Sequence, residues 1–400
     1  MLLIVASLLY LVGAYPQNQV TVNPNILVEI FGTPSTTKSD QMRLEDITVK
    51  PTEATSTFTD KDGNPCQCVP YYLCDSNLNI LNDSDATGWG KLDVRYGEDD
   101  NCQETVELCC KNPITMEEVK PPKPDPKRPK GCGYSNPKGL DFQLTGGNGN
   151  EAQFGEFPWV VALLDALNES YVGVGVLLHP QIVMTAGHKA ASFGAGTLKV
   201  RAGEWDTQTN KERLQAQERV VVQIEIRNDF KAGNLHNDVA LLRLEQPLEL
   251  AEHINVICLP SAGEDFSRSK NCVANGWGKD LFGQKGRYAV ILKKVILNMV
   301  DRDTCASKLR ETRLGKHFKL HESFVCAGGE AGVDTCQGDG GAPLACPFEE
   351  NRYKLTGLVA WGISCGDNIP GVYANVAMFR AWVDRVVQSW GFSTDGNNIR

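Results

Sequence analysis

The sequence lacks an excess of basic residues, a long apolar segment and any internal repeat. Its 40 basic side chains are outnumbered by 49 acidic ones, and the net charge of −9 gives no overall attraction for nucleic acid or an anionic membrane surface. The apolar run at the amino terminus covers only residues 2–12, which is too short to span a bilayer. A hydrophobic share of 42% and a charged share of 22% are ordinary for a globular protein and exclude a wholly disordered chain.

The amino-terminal residues have the pattern of a signal peptide. The apolar run ends in Val12-Gly13-Ala14, whose small residues are typical of a cleavage site, so residues 1–14 are predicted to be removed on secretion. A buried amino-terminal strand is the alternative interpretation. In a secreted chain, the acceptor sequences beginning at Asn82 and Asn168 are candidates for N-glycosylation.

The 14 cysteines form two groups, with six between Cys66 and Cys110 and eight between Cys132 and Cys365. Both counts are even, which indicates disulfides rather than metal sites. Together with composition, the two groups divide the chain after the signal peptide into four regions. These are a flexible Thr-, Ser- and Pro-rich tail at 15–60, a disulfide-rich domain at 61–111, a Pro- and Lys-rich linker at 112–131, and a large domain at 132–400.

The large domain has the pattern of a mostly β protein. Short apolar runs, such as residues 160–164, 174–178 and 239–244, are separated by Gly, Pro and Asn, which predicts an all-β barrel or sandwich. Near the carboxyl terminus, Met378, Ala381, Trp382, Arg385 and Val386 lie at helical spacing, and a glycine follows at position 391. A carboxyl-terminal helix is therefore expected.

Three separated segments carry the residues of a known catalytic constellation. They are Thr185-Ala186-Gly187-His188, Asn237-Asp238-Val239-Ala240-Leu241-Leu242, and Gly338-Asp339-Gly340-Gly341-Ala342-Pro343. In this order, and with motifs such as Gly276-Trp277-Gly278, they resemble the trypsin and chymotrypsin family over about residues 132–395. The resemblance implies a chymotrypsin-like double β-barrel, with His188 as the base, Asp238 as its orienting carboxylate, and Gly340 where the family has its nucleophilic serine.

The sequence departs from the family at further positions. Active members commonly bridge the histidine loop with two cysteines, and this chain has Gly173 and Lys189 there. The segment that should hold the activation site, residues 142–147, has no basic residue before it nearer than Lys138. Asp339 would then lack the ammonium group that pairs with it in active members, which predicts a zymogen-like or repacked site.

Three residues are expected to mark the remnant of a substrate pocket. The resemblance matches Asp334 to the carboxylate that selects Arg and Lys side chains, and matches Gly362 and Gly371 to positions that keep the pocket open. An inherited pocket with collapsed walls is the alternative, because pocket formation depends on the missing activation step.

The disulfide pairing is implied by resemblance and not by spacing alone. The first six cysteines resemble the clip domain of arthropod serine proteases, a small disulfide-rich unit that precedes the protease domain. The implied clip pairs are Cys66–Cys109, Cys68–Cys102 and Cys74–Cys110. The implied pairs of the large domain are Cys132–Cys258, Cys272–Cys346, Cys305–Cys326 and Cys336–Cys365.

A loop in the large domain resembles a calcium site of some family members, in which carboxylate and carbonyl oxygens bind the ion. The matching residues are Glu204, Asp206, Thr209, Glu212 and Glu218. A solvated charged loop is the alternative. No other cofactor is expected.

The whole chain resembles the clip-domain serine protease homologues of arthropods. That resemblance implies a secreted haemolymph protein that is catalytically inactive and acts as a binding cofactor in prophenoloxidase activation, the melanisation response of innate immunity. The implied partners are prophenoloxidase or phenoloxidase and an active clip-domain protease that processes this chain, with Arg95 as the candidate site and an oligomer as the processed form. Two other hypotheses remain, a microbe-binding or adhesive haemolymph protein and a residual hydrolase.

Overall fold

The computed structural model describes residues 57–59, 65–70, 90–94, 102, 107–111, 131–140, 142–146, 149–209, 212–279, 288–330, 339–363 and 368–393. Several predictions fall outside these residues, namely those on the signal peptide at 1–14, the linker up to 130, Asn82, Arg95, Asp334 and the cysteines at 74, 336 and 365. No helix in the described residues is long and apolar enough to cross a membrane.

A three-stranded antiparallel sheet forms the amino-terminal unit. Its strands, in the order β1-β2-β4, are β1 (Thr57–Thr59), β2 (Pro65–Pro70) and β4 (Glu107–Cys110). Cys66, Val69 and Cys110 are its buried apolar side chains among the described residues, a core so small that disulfides must supply much of the stability. Strand β1 lies within the predicted tail, so the folded unit begins earlier than residue 61. Its Thr-Phe-Thr sequence favours a strand locally, although the composition of the whole tail does not.

The first half of the large domain is a closed six-stranded barrel. Its strands, in the order β10-β11-β8-β7-β6-β9, are β6 (Val160–Asp165), β7 (Tyr171–His179), β8 (Ile182–Thr185), β9 (Leu198–Ala202), β10 (Gln217–Ile226) and β11 (Ala240–Leu244). Aliphatic side chains such as Leu163, Leu177 and Leu242 are fully buried and fill the interior. Because closure leaves no free edge, the strand ends are fixed and can position loop residues accurately.

The second half is a barrel-like seven-stranded sheet with two helices. Its strands, in the order β13-β12-β16-β17-β18-β15-β14, are β12 (Cys272–Gly276), β13 (Lys293–Leu297), β14 (Met299–Val300), β15 (Phe324–Ala327), β16 (Pro343–Glu349), β17 (Arg352–Trp361) and β18 (Gly371–Asn375). Besides the one-turn helix α1 (Gly187–Ala190) of the first barrel, the helices among the described residues are α2 (Arg302–Arg310) and α3 (Val376–Ser389). Helix α3 is the expected carboxyl-terminal helix and buries Phe379, Trp382 and Val383, so the mostly β class predicted from the sequence is confirmed.

A separate two-stranded parallel sheet joins the cysteine-rich region to the large domain. Strand β3 (Gly90–Val94) pairs with β5 (Phe142–Gly146), with Lys91 opposite Gln143. The backbone of Leu144 in β5 is held in turn by Gln153, whose Oε1 accepts from the Leu144 amide at 2.6 Å. This pairing is not foreseen in the sequence, because a two-stranded parallel contact leaves no local pattern.

Five disulfides join described residues. They are Cys66–Cys109, Cys68–Cys102, Cys132–Cys258, Cys272–Cys346 and Cys305–Cys326, the same pairs that the resemblance implies. Cys132–Cys258 fastens the start of the large domain to the segment between the two barrels, where the amide of Gly133 also donates to the carbonyl of Val256 at 2.8 Å.

Candidate functional site

The site centres on His188, which helix α1 presents directly after strand β8. The Nδ1 atom of His188 lies 2.7 Å from Oδ2 of Asp238, and the backbone amide of His188 donates to Oδ1 of the same carboxylate at 2.7 Å. Asp238 is fully buried. Asn237, just before it, has a φ of 57°, and its backbone amide donates to Ser323 Oγ at 3.1 Å. This contact fixes the turn that directs the Asp238 carboxylate inward. Two contacts to one carboxylate therefore hold the imidazole in one orientation, with Nε2 facing the other way.

Gly340 lies where Nε2 points. A Cβ atom added to this glycine would be 2.8 Å from His188 Nε2 and 3.3 Å from its Cε1. The chain thus brings the three triad positions together, and the third carries no side chain. The backbone of Gly340 is fixed, because its carbonyl accepts from the amide of Val174 at 3.2 Å.

Lys189 fills the space beside Gly340. Its Cε would collide with a Cβ on Gly340, and a Cβ on Gly173 would lie 3.1 Å from both Cδ and Cε of the lysine. The Nζ atom donates to the carbonyl of Val172 at 2.9 Å. The stem of Lys189 therefore runs between two glycines, at the place where active relatives have a disulfide. Gly173 and Lys189, where the resemblance places the bridging cysteines, therefore lie next to each other.

The environment of Lys189 affects its protonation. Burial lowers the pKa of its ammonium group, and the charges of Asp339 and Asp238 offset part of that shift. The group forms a hydrogen bond to a neutral carbonyl and no ion pair that the structure records, although two carboxylates lie nearby. When protonated, it contributes a positive charge near Asp339 and Asp238.

The carboxylate of Asp339 has a partner in the backbone segment that follows β12. Its Oδ1 accepts from the amide of Gly278 at 2.8 Å. The carboxylate lies against the Gly276-Trp277-Gly278 segment so closely that a Cβ on Gly278 would be 2.5 Å from either oxygen, so both glycines are required there. Tyr171 lies close by, and burial together with the Asp339 charge holds the pKa of its hydroxyl well above the usual value.

A cavity of about 480 Å³ adjoins the predicted pocket remnant. Gly362 follows Trp361 at the end of β17, and Gly371 begins β18, while Asp334 lies outside the described residues. Phe318, Phe324 and Trp361 form aromatic walls, and Arg313 and Lys319 are the cations of the lining. Sequence reasoning missed this cavity, because its walls come from four separate segments.

Two stacked histidines form another wall of the same cavity. The rings of His236 and His321 are 3.8 Å apart and nearly parallel, and Nδ1 of His321 lies 2.8 Å from Ser323 Oγ. Burial, and then the neighbouring His321 and Lys231, lower the pKa of His236 to about 4. His236 is therefore neutral at physiological pH. The only hint in the sequence is its position two residues before Asp238.

The candidate calcium residues divide into two groups. Glu204, Asp206 and Glu212 are buried, and the charge of Asp206 contributes to the raised pKa of both glutamates. Burial raises the pKa of Glu204 to about 7 despite Arg201, and burial and the Glu204 charge raise that of Glu212 well above its usual value. Thr209 closes the loop, with its amide 3.3 Å from the Asp206 carbonyl.

The fifth candidate, Glu218, faces basic side chains. It forms ion pairs with Lys199 at 2.8 Å and with Arg201. The glycosylation candidate Asn168 lies in the turn between β6 and β7, where its Oδ1 accepts from the amide of Ser170 at 2.9 Å, and the preceding Leu167 is 81% exposed. Asn168 is thus at the surface of the large domain.

Comparison with known families agrees with this geometry. Residues 147–383 match the trypsin family, and residues 55–111 match the serine protease clip domain of the PPAF-2 type. The chain therefore belongs to the clip-domain group of the trypsin family.

Several individual proteins are similar to this chain over most of its length. The chain is 51% identical to "Phenoloxidase-activating factor 2" of Galleria mellonella over 68% of its own length and 94% of the relative's. It is 39% identical to "Inactive CLIP domain-containing serine protease A8" of Anopheles gambiae over 80% of this chain and 88% of that one. It is also 28% identical to "Phenoloxidase-activating factor 1" of the beetle Holotrichia diomphalia, over 81% and 91% of the two chains.

Proposed function

We propose that this protein is a catalytically inactive protease homologue that acts as a secreted binding cofactor in prophenoloxidase activation. The observation that carries the proposal is the pairing of an ordered His188–Asp238 dyad with a glycine at position 340, the position that should supply the nucleophile. Acyl transfer by this family requires a hydroxyl beside the imidazole, and a glycine has none.

The expected loss of catalysis is large. In a protease of this mechanism, removal of the nucleophile lowers turnover by about a million-fold, or roughly 8 kcal/mol of barrier. Lys189 cannot replace the serine, because its amino group is directed to the Val172 carbonyl while only its methylene groups lie beside Gly340. Its protonated form also has no lone pair with which to attack.

The cofactor role is supported by the names of the similar proteins. One similar protein is called a phenoloxidase-activating factor, and another is called inactive, so loss of the protease reaction and a part in phenoloxidase activation occur within the same group. For this chain we infer prophenoloxidase or phenoloxidase as partner. We infer an active clip-domain protease as the enzyme that processes it, with Arg95 as the candidate bond and an oligomer as the product.

We also propose that the protein binds a calcium ion, which would stabilise the fold and take no part in a reaction. Three carboxyl groups are buried on this loop, burial raises the pKa of two of them, and oxygen ligands of this kind suit calcium. Glu204, Asp206 and Glu212 would bind the ion, whereas Glu218 is engaged by Lys199 and Arg201. The ion would stabilise the loop that follows β9.

The decisive experiment is a reconstitution. Purified prophenoloxidase and its active clip protease are incubated with and without this protein, and phenoloxidase activity is measured. The matched variant is His188→Gln, whose amide can still donate to Asp238 but cannot act as a catalytic base. We expect the natural chain and this variant to raise phenoloxidase activity equally.

Two results would contradict the proposal. If the natural chain raises activity and His188→Gln does not, while the natural chain alone hydrolyses Arg or Lys esters, the protein is a residual hydrolase. If neither protein changes phenoloxidase activity at any ratio, the cofactor role is wrong.

A further inference from the structure

A second groove lies between the outer face of the first barrel and helix α3, and it shares no residue with the His188 site. It encloses about 430 Å³. Its lining comes from two strands and one helix: Gln223, Glu225, Arg243, Trp382, Arg385, Val386, Ser389 and Trp390.

The secondary structure explains why these side chains converge. Gln223 and Glu225 are two residues apart on β10 and so project from the same face of the sheet, and Gln223 lies opposite Arg243 of β11. On helix α3, Trp382, Arg385 and Ser389 follow at intervals of three and four residues, which places them on one side of the helix. The strands and the helix thus supply the two walls.

Four polar side chains of the groove have no partner within the described part of the protein, whereas the Ser389 hydroxyl donates to the carbonyl of Val386 at 2.6 Å. Within the described residues, the side chains of Gln223, Glu225, Arg243 and Arg385 form no hydrogen bond or ion pair. The Nε atom of Arg243 is buried away from solvent and still has no hydrogen-bond partner in the part of the chain that the structure describes. Buried donors are almost always satisfied in folded proteins, so the Arg243 guanidinium is unusual in having no acceptor from the described residues.

The mixture of groups indicates the chemistry of a ligand for the groove. Val386 is the only aliphatic side chain of the lining, so an apolar tail would find little to contact. Glu225 opposes a simple anion, although the two arginines attract one. A ligand that offers both donors and acceptors suits a lining with an amide, a carboxylate and two guanidinium groups, and hydroxyl groups are donors and acceptors at once. The flat indoles of Trp382 and Trp390 provide apolar faces with a polar edge.

We propose that this groove binds a saccharide, with a sugar ring on the Trp390 indole and ring hydroxyls on Arg243, Gln223 and Glu225. The site is independent of the proposed cofactor role. It would let the same chain bind a glycan surface or a glycan on a partner while the His188 site and the amino-terminal domain remain free for other contacts.

The test titrates the full chain with laminarihexaose and with chitohexaose, monitored by tryptophan fluorescence and by calorimetry. We expect at least one of them to bind, and Arg243→Gln and Trp390→Ala each to weaken binding about tenfold or more, the equivalent of one lost contact. Trp390→Phe keeps an aromatic face and should recover part of the loss. Arg268→Gln removes an exposed cation elsewhere and should bind as the natural chain does. Melting temperatures of all variants show whether they remain folded.

Three outcomes would overturn the proposal. One is that neither saccharide binds the natural chain. Another is binding that folded Arg243→Gln and Trp390→Ala variants leave unchanged. The third is Arg243-dependent binding of a hexaglutamate peptide without saccharide binding, which would assign the groove to an acidic protein segment.

Discussion

Restoring the serine at position 340 should not restore a protease. A Cβ at this position would lie 2.8 Å from His188 Nε2 and would collide with Cε of Lys189, both inside normal contact distance. Lys189 must move before the new hydroxyl can meet the imidazole, and its movement breaks the hydrogen bond to Val172 and the packing on Gly173. We therefore expect Gly340→Ser to be less stable than the natural chain and to have no measurable ester hydrolysis.

The size of the effect follows from the contacts. Loss of a hydrogen bond to a charged group costs about 1.5–3 kcal/mol, part of which is recovered if the ammonium reaches water. A net loss of roughly 2 kcal/mol would lower the melting temperature of a domain of this size by about 4–8 °C. Differential scanning calorimetry measures this, and hydrolysis of an arginine thioester measures activity.

A matched series separates the blocked position from the missing serine. Gly340→Ser with Lys189→Ala removes the obstruction and should be more stable than the combination of serine with Lys189. If Gly340→Ser alone hydrolyses the thioester at a rate near that of an active relative, the obstruction by Lys189 is refuted.

Three other predictions concern calcium, the interdomain strand pair and glycosylation. With calcium chelated, the free energy of unfolding should decrease as the pH rises from about 4.5 to about 7, because the raised pKa of Glu204 and Glu212 means that the folded state still holds protons that the unfolded state has released. Added calcium should raise the melting temperature more at pH 8 than at pH 5.5, since the ion binds the deprotonated carboxylates. Equal increases at the two pH values would contradict the calcium site. Lys91→Cys with Gln143→Cys should form a disulfide between β3 and β5, since opposed residues of paired strands lie within disulfide reach. The two domains should then stay joined on a non-reducing gel after trypsin cuts the linker, whereas the Lys91→Cys variant alone should separate into two fragments. Asn168→Gln should lower the mass of the secreted protein by one glycan, and an unchanged mass would show that this site is not used.

The sequence predicted the site best at positions that belong to recognisable motifs. His188 and Asp238 lie together, as the resemblance of their two motifs to the family implies. It was least informative where the result depends on packing between distant segments. Nothing in the local sequence of Lys189 indicates that its stem runs between Gly173 and Gly340, since only the folded barrels bring these three residues together.

The His188–Asp238 contact stabilises the fold, so its presence does not indicate catalytic activity. Asp238 is fully buried, and His188 provides its ring nitrogen and its backbone amide as partners. Removal of the ring would leave one carboxylate oxygen buried without that contact, which costs about 2–3 kcal/mol when a buried acceptor loses its donor. His188→Ala should therefore be clearly less stable, while His188→Gln, whose amide can still donate, should lose less. Equal stability of both variants would show that Asp238 does not need the ring, and the ordered His188–Asp238 pair would then require a functional explanation.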